Sequence, residues 1–312
     1  GTFDAEYGQA MSGVVNAVLR RGSDKFRWDA EIYRGAYAYS DAYRDVGYDF
    51  YDWKPVFDPN DAQNYQLGAS GPTGLPKTYF LANARRGVTL GYLRSDFIFA
   101  PTDSNDYTTP ALHPSGDRSH RALGTSREWS GLAKLDNRSI SGVNVAYQAI
   151  LNQIEARAED WKFRFLPDGR KWQKTFSIVH GPDWTHTLNP NSYYSLSFRQ
   201  NYFDYTDMAY DDWHDGNYDA AGPLRDDQRF EEGSAWLEGV DINRNQQTTD
   251  TRVLKGTFVG QVGRHHQLKL GGEVQSSRLK FGVPGYVIAA GVDSVQRVES
   301  SPPFLLGFQT YY

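Results

Sequence analysis

The stretch Tyr202–Gly222, reading YFDYTDMAYDDWHDGNYDAAG, holds the densest set of residues able to do chemistry. Asp204, Asp207, Asp211, Asp212, Asp215 and Asp219 interleave there with Tyr205, Tyr210, Trp213 and Tyr218. Carboxylates beside aromatic rings bind sugars through hydrogen bonds and stacking, and clustered carboxylate oxygens hold calcium. The segment DDWHDGNYD has the acidic alternation of a calcium loop, but neither its glycine at the required offset nor its closing Glu. A solvated surface loop, with its strand-end tyrosines at a membrane interface, accounts for the same composition. DAYRDVGYDFYDW, Asp41–Trp53, has the same character. The candidate ligand contacts are therefore Tyr210, Asp211, Asp212, Trp213, Asp215, Tyr218, Tyr51 and Trp53, all on loops and none in a catalytic role.

Other reactive constellations are weak. His265 and His266 are adjacent in a predicted turn, where neighbouring side chains diverge and do not converge on one metal ion. Glu231 and Glu232 would suit a hydrolase reading, but adjacent carboxylates on a strand point to opposite faces. GASGPTG is rich in glycine yet precedes no helix that could capture an anion. No GxSxG, P-loop or HExxH motif occurs. The chain has no cysteine, so it has neither disulfides nor thiolate metal sites. With 33 basic and 38 acidic residues there is no basic excess to ask for nucleic acid. The sequence thus assigns no catalytic, cofactor or metal site.

The elements that must carry these loops are strands. In KFRWDAEI, Phe26, Trp28, Ala30 and Ile32 share one face and Arg27, Asp29 and Glu31 the other. The same period of two sets Tyr194, Leu196 and Phe198 against Ser195, Ser197 and Arg199. It sets Leu268, Leu270 and Val274 against Gln267, Lys269 and Glu273, and in Arg252–Val262 it aligns Leu254, Phe258 and Val262. Short turn-forming clusters, GPTGLP, LDNRS, TLNPNS and VGRHHQ, alternate with longer polar stretches at Asp41–Asp61, Pro101–Ser126, Asp160–Arg170 and Asp207–Asp250. Aromatics reach 15% although mean hydropathy is -0.65. That combination suits a transmembrane barrel, in which only alternate residues meet lipid and aromatics form girdles at the interfaces. No run of 18 apolar residues offers a transmembrane helix. A soluble β-sandwich explains the alternation but not the asymmetry of the connections, and alternation alone does not orient the two faces.

The N-terminal AEYGQAMSGVVNAVLRRG resembles the end of the plug domain of TonB-dependent outer-membrane receptors. The matching positions are Glu6-Tyr7-Gly8, Gly13-Val14-Val15-Asn16 and Arg21-Gly22. Leu19-Arg20-Arg21-Gly22 stands where the family more usually has Thr-Lys-x-Gly. NYQLGASGPTGLPKTYFLANARR, Asn64–Arg86, is similar to an early barrel hairpin of the Oar-like members, those with a carboxypeptidase-regulatory-like domain. GRHHQLKLGGEV, Gly263–Val274, looks like the family's short turn before a strand ending in Gly-x-Glu.

The resemblance implies an all-β fold: a partial transmembrane antiparallel up-and-down barrel of about nine strands, where plugged transporters have about 22, with a short plug remnant. Residues 1–22 would be the C-terminal end of the plug. Residues 23–312 would be the first part of the barrel, with extracellular loops at about 41–61, 101–126 and 207–250. Gly13, Asn16, Arg21 and Gly22 would mark the plug–barrel junction. The chain would then be an internal fragment of a receptor in the outer membrane of a Gram-negative bacterium. By the resemblance its partners are outer-membrane lipid, a large solute such as a siderophore, oligosaccharide or peptide, and the TonB complex, which supplies energy through parts lying N-terminal to this stretch. The alternatives are a non-transporting structural or adhesive outer-membrane β-protein and a soluble carbohydrate-binding β-sandwich.

Overall fold

The computed structural model describes residues 19–37, 59–105, 112–224, 229–230, 235–282, 286–289 and 295–298. Gly13, Asn16, Tyr51 and Trp53 lie outside them. The strands are β1 (Arg27–Gly35), β2 (Ala62–Pro72), β3 (Thr78–Leu90), β4 (Arg94–Asp96), β5 (His120–Ala122), β6 (Thr125–Asn137), β7 (Val143–Arg157), β8 (Trp172–Asn189), β9 (Ser192–Met208), β10 (Arg229–Phe230), β11 (Ala235–Trp236), β12 (Asn245–Val262), β13 (His266–Gly282), β14 (Tyr286–Ala289) and β15 (Val295–Val298). One sheet takes nine of them in the order β1-β2-β3-β6-β7-β8-β9-β12-β13, which is chain order, and every pair is antiparallel. β4–β5, β10–β11 and β14–β15 form separate two-stranded ladders. The only α-helix among the described residues is a single turn, α1 (Asn217–Ala221).

The hairpin turns lie at one end of the sheet. Gly74 (φ 89°) and Gly263 (φ 68°) occupy left-handed conformations in the β2–β3 and β12–β13 turns, where a side chain would be strained. The turn after β6 falls later than the LDNRS cluster suggests. β6 continues through Leu135 to Asn137, because Asn137 still pairs with Thr78 and Val145, and Gly142 (φ 73°) closes the hairpin. The far ends of the strands enter the long connections. β8, β9, β12 and β13 run for 18, 17, 18 and 17 residues, well beyond the usual 5–6 of a globular sheet.

Strand register divides the side chains into two faces. Trp28, Leu67, Trp129, Leu196 and Leu270 share the apolar face and are each between 49% and 67% exposed. Phe198 is half-buried on the same face. Full withdrawal of such a side chain from water contributes ~1.5–3 kcal/mol, so a bare face of this size calls for a non-aqueous neighbour. The opposite face is polar and internally paired. Arg85 donates to Asn64 Oδ1 at 2.6 Å and pairs with Glu128 at 3.3 Å. Arg199 Nη2 reaches both Asp183 oxygens at 2.7 and 2.6 Å.

The hydrophobic core lies in the connections, not on the sheet. Ile98, Phe99, Leu123, Phe163, Phe165, Leu166 and Leu237 form one buried cluster, and Ala209, Tyr218 and Val240 a second. The stretches that read as polar loops therefore contribute most of the buried apolar side chains. Their separate segments are stitched by backbone hydrogen bonds: Phe99 N–H to Phe165 O (3.0 Å), Gly239 N–H to Pro101 O (2.9 Å) and Asp241 N–H to Gly169 O (2.9 Å).

Candidate functional site

The acidic and aromatic loop leaves β9 at Met208 and is fixed by an aromatic anchor. Tyr218, on α1, is fully buried, and the Arg244 guanidinium lies 4.1 Å over its ring. Tyr210 packs edge-on against it at 4.8 Å, and the Tyr210 backbone N–H donates to the Tyr218 hydroxyl. Burial pushes both phenols above their usual range. Arg244 also donates to the Trp213 carbonyl at 2.8 Å, which holds the loop tip down. Tyr218 is thus the buried foundation of the loop and presents no surface to a ligand. Sequence alone had placed it among the contact residues.

The remaining predicted contacts surround that foundation. Asp211 is exposed and pairs with Lys174 of β8. Asp212 accepts from the His214 backbone N–H at 2.9 Å, and Asp215 accepts from Asn217 N–H at 2.9 Å; both are turn-capping bonds that hold the loop's shape. Trp213 is partly exposed and stacks on His214, with ring centroids 3.4 Å apart. The loop therefore offers Asp212, Trp213 and the outer side of Asp215 to solvent. Among the described residues no group of three or more His, Asp or Glu could hold a metal ion.

Two features around the loop were not legible from motifs. Lys171 sits between Asp207 and Asp241, at 2.8 and 3.6 Å, and ties the root of β9 to the loop's return. Burial alone would lower its pKa, but the hydrogen bond to Asp207 and the charge of Asp241 outweigh that and raise it. Beside it, burial and the neighbouring Arg157 lower the pKa of Arg170 to about 10. The second feature is a largely apolar cavity of about 150 Å³ lined by Ile98, Phe99, Leu112, Pro114, Phe165 and Leu237, with Arg118 at its rim. Its walls come from three connections far apart in sequence, so no local spacing announces it.

At the turn end of the sheet, the chain before β1 lies on the polar face. Lys134 Nζ donates to the Leu19 carbonyl at 2.9 Å and sits 3.6 Å from Asp136, which is buried. The Arg21 guanidinium stacks 4.8 Å over Tyr79 and pairs with Asp24 at 2.8 Å. A β-carbon on Gly22 would lie 2.3 Å from the Phe80 carbonyl oxygen, so only glycine fits that crossing. Arg21 and Gly22 are thus brought against β3 of the sheet.

No family model, no curated protein and no solved structure matches the chain.

Proposed function

We propose that this chain forms wall, outer mouth and plug tether of a plugged outer-membrane transporter that imports a large solute with energy delivered through TonB. The observation that carries the reading is the docking of Leu19–Gly22 on the polar face of a sheet whose apolar face is bare. A soluble sandwich buries its apolar faces together, whereas here the polar face is the one that receives another part of the chain. In a membrane barrel the apolar face meets lipid and the polar face encloses the lumen.

Two dimensions support it. On β9 the apolar and aromatic residues of this face, Tyr194, Leu196, Phe198 and Tyr202, with Gln200 between the last two, span nine residues. That is about 30 Å along the strand and ~23 Å when inclined by ~40°, against a barrel's apolar band of ~25 Å. The band is also oblique to the hydrogen-bond rows. Ile32 of β1 is in register, strand by strand, with Thr248 of β12, yet the last apolar residue on β12 is Leu254, six residues nearer the turns. Six residues over seven strand spacings correspond to an inclination of about 30°, close to the 35–45° of membrane barrels.

Within this stretch no native cysteine competes with an introduced one. In the full-length protein on intact cells, Asp212→Cys should react with a membrane-impermeant maleimide, whereas Leu196→Cys should react only with a lipid-soluble one. Water-soluble labelling of Leu196→Cys would remove the membrane wall. Import is tested with labelled siderophores, oligosaccharides and peptides. Accumulation that needs both this gene and TonB supports transport. A properly inserted protein with no TonB-dependent accumulation would leave a structural or adhesive wall.

A further inference from the structure

The apolar band is bordered on one side only by charge. On the outward face every Lys, Arg, Asp and Glu of the nine-stranded sheet lies on the long-connection side of the band, and none lies on the turn side. Cations dominate that border. Arg34, Arg86, Arg127, Lys174, Arg252 and Arg278 face outward there, with Arg157 and Lys280 at the strand ends, against the carboxylates Glu155, Asp204 and Asp250. Arg34, Arg127 and Lys174 lie in a single row of paired residues, with Arg86 one row nearer the band.

Local carboxylates compensate only part of this charge. Arg252 pairs with Asp250, and Lys174 with Asp211. Among the described residues Arg86 and Arg127 have no carboxylate partner and rest on indole rings. Arg86 lies 5.4 Å over Trp129, and Arg127 lies 5.9 Å from Trp172, which also carries Arg157 at 4.2 Å. Arg34 donates to the Tyr65 hydroxyl and remains exposed. A guanidinium stacked on an indole keeps its in-plane N–H donors free for an anion. Tryptophan and tyrosine at this level mark the interface between acyl chains and headgroups.

From this juxtaposition we propose that the outward cation collar binds phosphate-bearing lipid headgroups of the leaflet on the loop side. The collar would then fix the depth and the outward orientation of the wall. The proposal rests on the membrane reading above. Bidentate guanidinium–phosphate bonds would form from Arg86 and Arg127, with Arg34 extending the row.

The test uses the full-length protein in vesicles, with tryptophan fluorescence quenched by brominated lipid. Quenching by brominated phosphatidylcholine reports insertion. Competition between brominated phosphatidic acid and phosphatidylcholine reports headgroup preference. The wild type should prefer phosphatidic acid by about fivefold or more at low salt, since each cation near an anionic surface contributes appreciably. The combined variant R34Q, R86Q, R127Q should insert equally well but fall to a ratio near one. An inserted wild type with no preference, or a variant that retains it, overturns the collar. Absence of quenching by phosphatidylcholine overturns the membrane reading itself.

Discussion

Arginine introduced at Leu196 separates a lipid-facing sheet from a water-facing one. Leu196 lies between Tyr194 and Phe198 on the apolar face of β9, is 49% exposed, and is in register with Trp184 and Gly256. In a bilayer, Leu196→Arg places a cation among acyl chains, at a cost of ~2–4 kcal/mol near the midplane. That is about a 30- to 700-fold loss in the folded-to-unfolded ratio. Ser197→Arg, one residue on, turns to the polar face, with Asp183 on one side and Lys255 on the other. Attraction and repulsion there offset, and the expected change is within about 1 kcal/mol. The measurement is reversible urea unfolding of the full-length protein in lipid vesicles, followed by tryptophan fluorescence and by heat-dependent gel mobility. Equal costs at the two positions, or a neutral Leu196→Arg, would refute the assignment of faces.

The remaining predictions concern the loops and the Leu19–Gly22 segment. Tyr218→Phe removes the acceptor for the Tyr210 N–H and should cost ~1–3 kcal/mol, while Tyr218→Ala should cost ~3–5 kcal/mol through the cavity left under Arg244. Both are read as faster hydrogen exchange in residues 209–222, with the sheet unchanged. Lys171→Met leaves Asp207 and Asp241 partly buried without their cation and should cost about 2–3 kcal/mol. Because the Lys171 pKa is raised in the folded state above 10.5, its stabilisation is present below that pH and lost as pH climbs past it. The difference in melting temperature between wild type and variant should therefore shrink above about pH 10.5. Gly22→Ala should loosen the Leu19–Gly22 segment, seen as new proteolysis between residues 19 and 26. A protected segment would contradict the contact with Phe80. On the proposed function, replacing Asp212 and Trp213 together by Ser should weaken solute capture without altering assembly of the sheet, because neither side chain supports the buried cluster; unchanged capture would remove the loop tip from the site.

The strands were legible because period-two alternation is local. Leu254, Phe258 and Val262 announce one face of β12 whatever packs against it, and the turn clusters mark each short reversal to within a few residues, the β6–β7 turn falling later than LDNRS. Those two signals account for the four pairings joined by short turns, β2–β3, β6–β7, β8–β9 and β12–β13; the other four, β1–β2, β3–β6, β7–β8 and β9–β12, close across long connections and are set by the tertiary structure. The loops were legible only as composition. Phe99, Leu123, Phe165 and Leu237 are scattered across three connections, and nothing in the spacing of any one segment shows that they meet. Tyr218 reads as a candidate contact because it lies among aspartates; its burial depends on Arg244, 26 positions further along the chain.

Alternation is also symmetric with respect to inside and outside. The sequence by itself determined which residues of the long strands share a face and, to within a few residues, where the short hairpins turn. Only the tertiary structure decided that Lys134 holds Leu19 on the polar side, that Gly22 crosses against Phe80, and that the cations gather along one border of the apolar band. The physical reason is that register and packing join residues far apart in the chain, and a face acquires a direction only when something is seen to lie against it.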